Sequence, residues 1–136
     1  MIKKTVTYVD FDEQERTEDF YFNLTKAELT KMFNSVSGGL EKYLDQIIKT
    51  KDAPKIMENF EAILKASYGV KTNDGRGFMK SEELFESFKA TQAYSDIFME
   101  LCTDAEAAAA FIKGVLPKDL AAEIDKAPLL AEVTAN

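Results

Sequence analysis

The spacing of apolar residues changes once along this chain, and that change fixes its fold class. Ile2, Val6 and Tyr8 are separated by Lys and Thr, and Phe20 and Phe22 repeat the period of two on the far side of Asp10 to Glu15. Such alternation on either side of a polar connection is a β-hairpin pattern. The connection Asp10-Phe11-Asp12-Glu13-Gln14 lacks the Asn-Gly or Asp-Gly pair of a two-residue turn, so a longer loop or a bulge is expected. Glu13 and Gln14 stand where a glycine belongs. A lone hairpin is marginal in water, so the Val6, Tyr8, Phe20, Phe22 face is expected to lie on helices, or an outer edge to pair with another chain.

From Leu24 onward the period is that of a helix. Thr25 as N-cap and Glu28 three residues on form a capping box, and Leu24 with Leu29 forms a hydrophobic staple. Leu29, Met32, Phe33 and Val36 make the stripe of this helix until Ser37-Gly38-Gly39 breaks it. A second helix carries Leu40, Tyr43, Leu44, Ile47 and Ile48. Asp52 caps a third, with Pro54 in its first turn; Ile56, Phe60, Ile63, Leu64 and Tyr68 line its buried face, and Met57 widens it. Gly69 suits a left-handed C′ position that would end it. A polar turn, Asn73-Asp74-Gly75-Arg76-Gly77, follows.

Three short helical segments then run to about Gly114. Ser81 caps one bearing Leu84, Phe85 and Phe88; Thr91 caps one bearing Tyr94, Ile97, Phe98 and Leu101; and Thr103-Asp104-Ala105-Glu106 reads as a second capping box opening an Ala-rich helix that Pro117 stops. The expected fold is α+β and predominantly α, an N-terminal hairpin (about 2–22) packed on a bundle of about five or six short helices (about 25–114). One globular domain, 1–117, is followed by a weakly structured C-terminal tail, 118–136, whose Leu120, Ile124, Leu129 and Leu130 pattern is interrupted by Pro128.

Few kinds of chemistry suit this composition. The chain of 136 residues has a net charge of −7 with Lys and Arg dispersed, and no basic stripe for nucleic acid. It contains no histidine, which removes the commonest general base and metal ligand together. The serines therefore have no imidazole to activate them, and adjacent acids such as Asp12/Glu13 and Glu82/Glu83 read as solvated, the second pair also favouring a helix N-terminus. The N-terminus lacks the apolar core of an export signal, and no apolar run approaches the ~20 residues of a membrane span. The single Cys102 reads as a small, buried hydrophobe suited to a reducing compartment. No catalytic residue, cofactor site or metal site is expected.

One segment imitates a ligand loop. Thr72 to Leu84 resembles an EF-hand calcium loop with Gly77 and Glu83 at its invariant places, but Thr72 and Arg76 stand where oxygen ligands belong, and a guanidinium has no lone pair to give. A degenerate calcium-responsive binder is thus the weakest functional alternative. The off-stripe apolar residues Phe11, Phe78, Met79 and Met99 are candidates for contact with a partner.

Several segments together carry a family likeness: Thr7-Tyr8-Val9-Asp10-Phe11-Asp12, Arg16 through Glu28, Ser37-Gly38-Gly39-Leu40, Tyr68-Gly69-Val70-Lys71, Asp74-Gly75-Arg76-Gly77-Phe78, Tyr94 through Leu101, and Phe111-Ile112-Lys113-Gly114. By this overall pattern the chain resembles the tail assembly chaperones of long-tailed phages and prophages of Gram-positive bacteria. The resemblance implies a non-enzymatic protein of the host cytoplasm, absent from the mature virion. It would hold the tape measure protein soluble while tail tube subunits polymerise around it. The implied partner is the tape measure protein, with the tail tube protein and a homo-oligomer as further candidates. A structural or adaptor subunit of the virion is the runner-up.

Overall fold

The computed structural model describes residues 1–33 and 51–120. The Ser37-Gly38-Gly39 break, the expected second helix and the tail from residue 121 lie outside the described residues. In chain order the elements are β1 (Ile2–Val9), β2 (Glu15–Phe22), α1 (Lys26–Phe33), α2 (Ala53–Ser67), β3 (Tyr68–Lys71), β4 (Phe78–Met79), α3 (Glu82–Lys89), α4 (Gln92–Thr103) and α5 (Ala105–Val115). The fold is α+β and mostly helical, with the N-terminal antiparallel strands packed on helices.

Alternation along the hairpin sets its two faces. β1 and β2 pair without interruption from Ile2 opposite Phe22 to Val9 opposite Glu15. Tyr8, Phe20 and Phe22 are buried, and Ile2 and Val6 pack against the core beside them. On the other face Thr5 Oγ1 donates to Asp19 Oδ1 at 2.6 Å and the Thr7 and Thr17 hydroxyls meet at 2.9 Å.

The connection is the longer, bulged type. Glu13 N donates to Asp10 O at 3.0 Å, Asp10 N donates to Gln14 O at 2.9 Å, and the Asp10 carboxylate accepts from the amides of Asp12 and Gln14 and from Arg16 Nε at 2.5 Å. The Arg16 bond, followed by the Gln14 amide, holds the Asp10 carboxyl below its ordinary pKa. Glu13 has φ 62, a left-handed conformation that a Cβ opposes and glycine adopts freely. Glu13→Gly is therefore expected to stabilise the protein by about 0.5–1 kcal/mol, read as a rise in the urea midpoint at unchanged slope.

The core is built on Phe22. Its ring lies 5.2 Å from Phe111, 5.8 Å from Tyr68 and 5.8 Å from Phe88, which in turn stacks on Tyr68 at 4.3 Å and meets Phe20 at 5.0 Å. Leu24, Leu29, Leu64, Leu101 and Val115 close it from α1, α2, α4, α5 and the β2–α1 junction. β1 lies close against α5: a Cβ on Gly114 would sit 2.7 Å from Ile2 Cδ1. Residues 118–120 are helical; Leu120 packs against the core and Asp119 pairs with Lys26.

The helix caps mostly follow the sequence. The Thr25/Glu28 capping box forms, with Thr25 N donating to Glu28 Oε1 at 2.9 Å and Glu28 N to Thr25 Oγ1 at 3.2 Å. Ser81 accepts from Leu84 N and Thr91 from Tyr94 N, both at 3.1 Å. The second capping box is corrected: Asp104 caps α5, accepting from Glu106 N and Ala107 N, while Thr103 closes α4 and donates to Met99 O. A carboxylate outcompetes the neighbouring hydroxyl for two unpaired amides.

Gly69 is also corrected. It does not end a helix in a left-handed turn; α2 stops at Ser67, Tyr68 is already extended (φ −67, ψ 140), and Gly69 lies within β3. A Cβ there would come within 2.6 Å of the Phe78 ring and 2.8 Å of Met79 O. Glycine is needed for the close approach of β4. The polar turn thus joins two strands, and among the described residues the sheet has four, in the order β1-β2-β3-β4. Met32, expected on the buried stripe of α1, is exposed, as is Met57 on α2.

Candidate partner-binding surface

The four candidate contact residues lie on three separate elements. Phe11, at the tip of the first hairpin, is 81% exposed. Phe78 and Met79 form β4, opposite Lys71 and Val70. Adjacent residues of a strand face opposite ways, so Met79 is exposed beside Val70, while Phe78 is half-buried over Gly69. Met99 is exposed on α4, one residue before Glu100, which pairs with Lys4 of β1.

Among the described residues, sequence reasoning missed five exposed apolar residues, Met1, Val9, Met32, Met57 and Val70. Met32 and Met57 were hidden by the helical stripe, which widened to include them. Val70 had a signal: Val70-Lys71 and Phe78-Met79 flank an Asn-Asp-Gly turn, the arrangement of a short hairpin.

Lys80 holds this edge strand to the helices. Its ammonium donates to Asn23 O at 2.6 Å, Glu28 Oε2 at 2.6 Å and Ala66 O at 2.9 Å, using all three of its protons. Partial burial acts to raise the Glu28 pKa, but the bonds from Lys80 and from the Thr25 amide outweigh it, and the net shift is downward. A shallow hollow beside it is lined by Lys65, Ala66, Lys80, Ser81, Glu82 and Phe85. Its lysines are already engaged, Lys65 with Glu82 at 3.9 Å and Lys80 as above.

The resemblance to an EF-hand does not survive folding, because the element entering the loop is strand β3 and not a helix. Asp74 Oδ1 is committed within the turn, accepting from Thr72 Oγ1 at 2.7 Å and Arg76 N at 3.0 Å. The Thr72 bond is the main cause of its lowered pKa. Among the described residues no group of three acids, cysteines or histidines could hold a metal ion. Cys102 is half-buried, and burial raises its thiol pKa, the opposite of what activates a nucleophile. Among the described residues no helix is long and apolar enough to cross a membrane.

The described residues make a small α+β protein that presents apolar side chains and sheet edges with no further strand among those residues. A family model described as phage tail assembly chaperone matches residues 1–136. The chain belongs to that family, and its role is in the assembly of phage tails. Neither the curated proteins nor the solved structures include a significant match.

Proposed function

We propose that this protein binds the tape measure protein, keeps it soluble in the host cytoplasm while the tail tube assembles, and leaves before the virion matures. The observation that carries the reading is the family match over the whole chain. The surface supports it: Phe11, Met79 and Met99 are exposed on separate elements, an arrangement suited to several weak contacts along an extended client, with avidity from repetition. It works by binding and carries out no covalent chemistry. The −7 charge opposes self-association of loaded complexes.

Mass spectrometry of purified particles tests the departure step. The protein is expected to be absent from them; a stoichiometric amount would make it a structural or adaptor subunit instead. The double variant Phe11→Ser with Met79→Ser tests the surface. It should weaken capture of the tape measure protein by at least about thirtyfold, since two lost apolar contacts on the order of 1–2 kcal/mol each sum to about 2–4 kcal/mol. Its melting temperature should stay within a few degrees of wild type, because exposed substitutions usually change stability by less than about 0.5 kcal/mol. Unchanged capture would place the contact elsewhere.

A further inference from the structure

The two edges of the sheet are unequal. β4 has two residues, a length that protects an edge from pairing. β1 has eight, pairs with β2 alone among the described strands, and has no bulge in its register and no proline. Which of its backbone groups are bare follows from the ladder. Asp10 N donates to Gln14 O, and opposed residues of an antiparallel pair alternate between bonded and non-bonded. Tyr8, Val6, Lys4 and Ile2 therefore turn their amides and carbonyls to β2, while Val9, Thr7, Thr5 and Lys3 turn theirs away. β3 gives the same parity from the other side: Asn23 N donates to Ser67 O, so Tyr21 bonds β3 and Phe22 bonds Ile2. Among the described residues no hydrogen bond meets the outward groups of β1.

We infer that the outer edge of β1 is an interface between two copies of this chain, the two β1 strands pairing antiparallel with Thr5 opposite Thr5. Only a strand satisfies a row of alternating donors and acceptors, and this strand is complementary to itself. Registers centred on a residue keep the core-facing side chains of both copies on one face; those centred between residues invert them. A register centred on Lys3 or Lys4 sets lysine directly opposite lysine, which is destabilising. The Thr5-centred register sets Lys3 opposite Thr7 and Lys4 opposite Val6 and engages Ile2 to Tyr8 of each copy, with Val9 opposite Met1. A register centred on Val6 sets Ile2 opposite Asp10, whose amide and carboxylate are already bonded within the hairpin loop. The side chains are already ordered for it, since Thr5 and Thr7 are bonded to Asp19 and Thr17 of their own hairpin. The product is an isologous two-fold dimer in which the two four-stranded sheets become one.

Sedimentation of the full chain over a concentration series tests this, together with two variants. Thr5→Pro removes an outward amide and should weaken dimerisation at least about tenfold, while far-ultraviolet circular dichroism stays native, because proline is tolerated where an edge amide faces solvent. Thr5→Cys in a Cys102→Ser background should form a disulfide-linked dimer under mild oxidation, since opposed Cα atoms ~5.5 Å apart are within bonding reach. Thr17→Cys in the same background should not. The inference is overturned if the wild type is monomeric throughout. It is overturned equally by a dimer that Thr5→Pro leaves intact, or by failure of the Thr5→Cys variant to cross-link. Should Thr5→Pro fail to fold, the cross-link decides.

Discussion

Phe22→Ala is expected to remove about 3–5 kcal/mol of stability, the cost of emptying a fully buried phenylalanine site. Phe22 is fully buried, and its ring is the meeting point of β2, β3, α3 and α5 through Tyr68, Phe88 and Phe111. Collapse of the cavity is opposed on every side. The neighbours come from a paired strand and from helices already in contact with the sheet, so none can move in without breaking its own partners. A domain of this size has about 5–15 kcal/mol in total, so the loss is a large share of it. The melting temperature should fall by more than about 10 °C. A drop below ~1.5 kcal/mol, well short of the usual cost of such a cavity, would show that Phe22 is not the centre of the core.

Lys80→Met is the second large effect. The substitution keeps an apolar stem but leaves Glu28 Oε2 and the carbonyls of Asn23 and Ala66 without their donor. Breaking a fully buried charge pair costs about 3–5 kcal/mol. Here the side chains of Lys80 and Glu28 are 21% and 36% exposed, and solvent screening reduces the loss to about 2 kcal/mol. Acid provides a second readout. The Glu28 pKa is lowered by folding, so its contribution is full above the unfolded glutamate value and is lost as pH falls through the folded one. The stability gap between wild type and variant should therefore narrow as pH drops below the ordinary carboxylate range. A remainder from the two carbonyls should persist. A gap independent of pH would assign the effect to those carbonyls alone.

How far the sequence led can be seen in Phe22 and Gly69. The hairpin and the helix starts were legible because each depends on neighbours in sequence: alternation for β1 and β2, and a hydroxyl or carboxylate a few residues before the amides it accepts from at Thr25, Ser81 and Thr91. Gly69 was misread because a glycine after an amphipathic helix looks the same whether it turns left-handed or admits another strand. Its reason lies in Phe78 and Met79, visible only once the chain is folded. Strands as short as β3 and β4 also carry too few residues to display a period. The same limit applies to the surface. Phe11 could be picked out as off-pattern, but that Met79 stands beside Val70, with Phe78 turned over Gly69, follows from pairing and not from spacing.

The most direct test of the account is co-expression of the chain with the tape measure protein from the same genome, measuring soluble tape measure with and without it. The account predicts a client that aggregates alone, becomes soluble with the chain, and is recovered in complex with it on gentle affinity capture. A client equally soluble by itself, with no complex recovered, would contradict it.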